Sequence, residues 1–104
     1  GSMKTLRGSI RTYLRGQAHH LKPLVIIGQQ GVTDTVIQAI NDALDLHELI
    51  KIKFNSFKEQ KKELAAEIEQ QTRSELLGII GNIAIYYRQQ PDKDKRKIQL
   101  PASA

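Results

Sequence analysis

Cysteine is absent from this chain of 104 residues. Disulfides, thiol nucleophiles and thiolate metal sites are excluded together. Aromatic residues make up 5% of the sequence against 39% hydrophobic residues overall, so a core has to be mainly aliphatic. The longest unbroken aliphatic run is the four residues Leu24–Ile27, far below the ~20 that a membrane-spanning helix needs. The only histidines are His19, His20 and His47, and no carboxylate stands at metal-ligand spacing from them. No metal, no cofactor and no enzymatic activity is expected. Nothing resembles a signal peptide, which makes a soluble cytoplasmic protein the expectation. Carboxylates are outnumbered, 11 against 16 Lys and Arg, for a net charge of +5. That imbalance favours a polyanionic partner: RNA, DNA or an acidic surface.

What is present is most telling at Leu24-Val25-Ile26-Ile27-Gly28-Gln29-Gln30-Gly31-Val32-Thr33-Asp34. The apolar run reads as a central strand, Gly28–Gly31 as a loop, and Thr33 with Asp34 as the opening of a helix. Glycines let the main chain come close to a ligand, and the first-turn N–H groups lie at the helix's positive end. KH domains clamp single-stranded RNA with a loop of this kind. Gly78-Ile79-Ile80-Gly81 fits the same pattern. Its middle residues are apolar and no helix follows, so Gly78 reads as a bulge or close packing and Gly81 as a turn.

Around the loop the pattern predicts a helix over Lys4–Arg15, stopped by Gly16, with Leu6, Ile10, Tyr13 and Leu14 on its core face. Lys4, Arg7, Arg11 and Arg15 form a second stripe that contains no acid. After Pro23 and the first strand, a helix runs from Thr33 to about Leu46, with Val32 and Ile37 placed as a hydrophobic staple. A strand begins at His47 and ends at Phe54, with Ile50, Ile52 and Phe54 inward and Lys51 and Lys53 outward. Ser56 and Glu59 read as a capping box for a helix over Phe57–Thr72 that packs through Phe57, Leu64, Ala65 and Ile68. Strands Glu75–Ile80 and Ile83–Tyr87 flank a turn at Gly81-Asn82. Tyr86 and Tyr87 point to opposite faces, one to the core and one free to stack a base. The order is αβαβαββ, an α/β (α+β) domain with one four-stranded mixed sheet. Its first two strands are parallel and the last two form an antiparallel hairpin. Residues 1–2 read as a cloning remnant, 3–90 as one domain and 91–104 as a charged flexible tail.

Taken in order, Arg15-Gly16-Gln17-Ala18-His19-His20-Leu21-Lys22-Pro23, Ile27–Val32, His47–Lys53 and Ile80-Gly81-Asn82 through Tyr87-Arg88 resemble the stand-alone bacterial CRM-domain proteins, the YhbY-like ribosome-assembly factors. The resemblance covers nearly all of Leu6–Arg88 and implies a fold similar to the C-terminal domain of translation initiation factor three. It further implies RNA binding through Gly28, Gln29, Gln30 and Gly31, in association with precursors of the large ribosomal subunit. Family loops often carry a cation between the glycines, where this chain has Gln29 and Gln30. Lys22, the N-terminal Lys4, Arg7, Arg11 and Arg15, and Lys51, Lys53 and Arg88 would then supply the charge. A monomer is expected. The competing reading is a protein-interaction module that docks on ribosomal proteins or an RNA-processing enzyme. No helix-turn-helix spacing favours DNA.

Overall fold

The computed structural model describes residues 8–92 and 94. Seven regular elements follow in order: α1 (Gly8–Ala18), β1 (Val25–Ile27), α2 (Asp34–His47), β2 (Leu49–Phe54), α3 (Lys61–Thr72), β3 (Glu75–Ile80) and β4 (Ile83–Tyr87). A short 3-10 turn, Lys58–Gln60, precedes α3. The strands form one mixed sheet in the order β1-β2-β4-β3. β1 is parallel to β2, while β2–β4 and β3–β4 are antiparallel. The expected fold class is therefore the observed one. Among the described residues no helix is long and apolar enough to cross a membrane.

Strand alternation divides the core in two. On one face α2 and α3 cover Ile27, Ile50, Ile52, Phe54, Ala84 and Tyr86, contributing Ile40, Leu44, Ala65 and Ile68. On the other, α1 brings Leu14 and Ala18 onto Leu49, Leu77, Ile85 and Tyr87. Each buried Leu, Ile or Phe contributes about 1.5–3 kcal/mol of transfer free energy, which makes the α2–α3 face the larger source of stability. Tyr86 sits within it, its hydroxyl donating to the Ala65 carbonyl at 2.8 Å. Burial pushes that hydroxyl above the ordinary phenol range, and the Glu69 carboxylate adds to the shift.

Several local expectations are corrected. Helix α1 runs through Gly16 to Ala18, because Ala18 is fully buried one turn after Leu14 and packing outweighs the ~1 kcal/mol helix cost of a glycine. Lys4, Leu6 and Arg7 lie outside the described residues, as does the tail apart from 91, 92 and 94. β1 is an edge strand, because β2 has only two sides and the β3–β4 hairpin occupies the second. Ile26 is accordingly 54% exposed between buried Val25 and Ile27. His47 closes α2 rather than opening β2, and Glu48 caps the helix at φ 63°, its N–H bonded to the Leu44 carbonyl. The Ser56–Glu59 capping box does not form. The Asn55 and Ser56 N–H groups instead donate to the Ile27 carbonyl at 3.0 and 3.2 Å, which extends the parallel pairing and leaves α3 to start at Lys61 without a side-chain cap. Both Tyr86 and Tyr87 are buried, since α1 covers the face on which Tyr87 stands. Neither is available to stack a base.

Candidate nucleic-acid interface

Parallel pairing puts the C-terminal ends of β1 and β2 side by side. The loop Gly28–Gly31 and the segment Asn55–Gln60 therefore share one end of the sheet, joined through the Ile27 carbonyl. Within the loop, the Gly31 N–H donates to the Gly28 carbonyl at 3.0 Å, and Gly31 has φ +75°. Only glycine takes that conformation without strain. Gln29 and Gln30 are exposed at the tip. A side-chain carbon at Gly28 would meet nothing within 4 Å, so a ligand has open access to the main chain there. Thr33 caps α2 as expected, its Oγ1 accepting from the Val36 N–H at 3.2 Å. The remaining first-turn donors carry the helix's partial positive charge. Asp34 in that turn opposes it, so affinity for an anion has to come from cations nearby.

The sheet face that carries α1 is open toward this end. Register places Ile26 beside Lys53, Lys53 beside Ile83, and Ile83 beside Ile80. The row crosses all four strands, and its outer members Ile26 and Ile80 are 54% and 57% exposed. Lys53 is exposed at its centre. Lys51 stands on the same face, with Nζ 3.1 Å from the Leu21 carbonyl, to which it donates.

Asn55–Gln60 adds groups that periodicity did not point to. Phe57 takes left-handed φ 58°, ψ 36° and is 42% exposed instead of entering the core. Its ring edge lies 3.4 Å from where a side-chain carbon on Gly31 would stand, so the ring fills the space beside that glycine. Lys58 follows it and Lys62 lies in the first turn of α3, both exposed. Lys61 instead donates to the Gly81 carbonyl and to Asn82 Oδ1, which fastens the β3–β4 turn to this end. The lysines at positions 58, 61 and 62 were a legible signal. Phe57 was not, because a helix starting there would have turned it inward.

The other candidate cations are dispersed. Lys22 is exposed but precedes β1, whereas the loop follows it, so the two occupy opposite ends of the strand. The arginine stripe has an acid after all, supplied by β3. Arg11 pairs with Glu75 at 2.7 Å and donates to the Leu76 carbonyl at 2.8 Å. Arg15 donates to the Leu77 carbonyl at 3.2 Å. Arg88 is a clamp between helices: it donates to Asn41 Oδ1 at 2.7 Å and the Thr72 carbonyl at 2.6 Å, and pairs with Asp45 at 2.8 Å. Among the described residues no cluster of His, Asp and Glu could hold a metal.

A second surface lies at the far end of β1. Leu21, Leu24 and Leu46 are 38%, 52% and 63% exposed. They line an apolar groove with Leu49 and Ile50, flanked by Lys22 and His47.

Comparison with known proteins finds relatives of the whole domain. The model of the CRS1 / YhbY (CRM) domain matches residues 6–88. The "Probable RNA-binding protein YqeI" of Bacillus subtilis is 36% identical over 97 residues, which are 92% of this chain and 99% of that protein. An "RNA-binding protein" of Haemophilus influenzae is 38% identical over 100 residues, 95% and 98% of the two chains. The solution structure of the hypothetical protein SAV1595 from Staphylococcus aureus superposes with a TM-score of 0.77 at 38% identity. That alignment covers 93% of this chain and 100% of that one.

Proposed function

The chain belongs to the CRS1 / YhbY (CRM) domain family, and from that premise we propose that it binds RNA, in association with precursors of the large ribosomal subunit. Gly28–Gly31 holds the phosphate backbone, and Lys53, Lys58 and Lys62 supply most of the charge, with Lys22, Lys51 and the N-terminal Lys4 and Arg7 adding to it. The observation that carries this reading is the loop itself: a glycine turn at φ +75° with exposed middle residues, open main chain at Gly28, a capped helix behind it, and lysines at the same sheet end. Arg11, Arg15 and Arg88 act chiefly within the fold.

Titrating fragments of large-subunit ribosomal RNA across a salt series tests the reading. Neutralising about four to six phosphates gives a log–log slope of roughly −3 to −5. A flat response would remove the cationic face from the account. Gly31→Asp, which adds a negative charge to the loop and presses its side chain toward the Phe57 ring, is expected to lose at least about tenfold in affinity while still melting cooperatively. Wild-type binding by the folded variant would reduce the loop to a turn.

The apolar groove at the far end favours a second reading, docking on a protein. Binding to intact precursor particles but not to free ribosomal RNA would select it.

A further inference from the structure

Three Tyr and two Phe are all the aromatic residues the chain has. Phe54, Tyr86 and Tyr87 are buried and Tyr13 is half-buried, which leaves Phe57 as the one exposed Phe or Tyr. The exposed imidazoles of His19, His20 and His47 precede β1 and β2 and so stand at the other end of the sheet from the loop. Phe57 is held there at some expense. A bulky residue at φ 58° is disfavoured, and backbone strain of this kind gathers at ligand-binding positions. The left-handed turn carries the ring away from the α2–α3 core and lays it against Gly31.

We propose that Phe57 is a stacking platform for an unpaired RNA base, adjacent to the phosphate held by Gly28–Gly31. The inference rests on the RNA-binding reading above and adds what that site takes: single-stranded RNA, at least at one nucleotide. A phosphate bound at the loop carries its sugar and base on one side or the other. On the Phe57 side the base meets a flat apolar surface whose inner edge is already packed and whose outer part faces solvent. The neighbours decide between nucleic acid and protein. An aromatic anchor for a protein partner is ordinarily ringed by apolar contacts that exclude water. Phe57 is accompanied by exposed Lys58, Lys62, Gln29 and Gln30, with one exposed carboxylate, Glu59, in the turn that follows it. Cations and amides around an aromatic ring suit a charged strand with π-faced bases.

The chain has no tryptophan, so Phe57→Trp introduces a single indole at the proposed contact. A 12-nucleotide single-stranded RNA of mixed sequence is expected to quench its emission at saturation. An abasic oligonucleotide of the same length, which offers phosphates without bases, should bind and leave the emission nearly unchanged. Phe57→Gly suits the left-handed backbone while deleting the ring. It should keep a cooperative melt and bind the RNA roughly tenfold more weakly, as loss of one base–aromatic stack does. Equal quenching by both oligonucleotides overturns the proposal, as does undiminished affinity of folded Phe57→Gly. RNA bound with its full salt slope and no change in the indole emission also overturns it, while leaving RNA binding intact. No RNA binding by wild type overturns both readings. Quenching by large-subunit proteins but not by RNA would turn Phe57 into a protein contact and likewise overturn the stacking.

Discussion

Gly28–Gly31 and Gly78–Gly81 match one four-residue pattern, and each has its last glycine at positive φ, +75° and +59°. The first leads into α2, with Gln29 and Gln30 exposed and nothing above Gly28. The second is the end of β3 and the turn into β4. Ile79 packs on the core, and a register shift between Leu76 and Gly78 bends the strand under Arg15. A side-chain carbon on Gly78 would touch Arg15 Cδ at 3.6 Å. The cations differ in the same way. Around the first stretch Lys53, Lys58 and Lys62 are exposed, whereas beside the second Arg11 and Arg15 are bonded to β3 carbonyls. The shared pattern marks a tight left-handed turn. Whether that turn can hold a ligand depends on its middle residues and on whether neighbouring charge is already engaged.

Removing an engaged cation should show the largest effect on the fold. Arg11→Ala strands Glu75 and frees the Leu76 carbonyl in a partly buried setting. Charge-assisted hydrogen bonds of this kind contribute about 1.5–3 kcal/mol. The melting temperature should therefore fall by roughly 10 °C in a thermal scan, with RNA affinity of the folded variant changed less than by Gly31→Asp. An unchanged melt would return Arg11 to the surface stripe and erase the contrast between the two cation groups.

Next in size is a paired substitution. Gly31→Ala forces a β-carbon into left-handed backbone and against the Phe57 ring at 3.4 Å, for a loss of about 1–2 kcal/mol. Gly78→Ala meets only ordinary contact with Arg15 at 3.6 Å, so it should stay within about 0.5 kcal/mol of wild type. Denaturant midpoints of the two variants decide it, and equal losses would mean that the bulge is as demanding as the loop.

The smallest effect on the fold is expected at Lys53, exposed at the centre of the open row. Lys53→Ala should leave stability within about 0.5 kcal/mol and reduce the salt slope of RNA binding by roughly one. An unchanged slope would take the open row out of the interface.

Legibility in the sequence followed the range of the interactions. The β3–β4 hairpin, the Thr33 cap and the inward Ile50, Ile52 and Phe54 were readable because turn chemistry, capping and strand alternation act over a few residues. So was the glycine loop. The position of β1 at an edge was not readable, because a four-residue aliphatic run suits a central strand equally well and only the pairing order decides. The arginines show the same limit. Nothing within α1 reveals that Glu75, 64 residues later, pairs with Arg11. Helical periodicity turns Phe57 toward the core, yet the fold leaves it at the surface, because Asn55 and Ser56 are drawn into pairing with Ile27 before the helix can begin. By itself the sequence determined the elements, the family resemblance and the loop, all of which rest on local geometry. The tertiary structure decided which cations remain exposed and which aromatic faces solvent, because both depend on partners brought from distant parts of the chain.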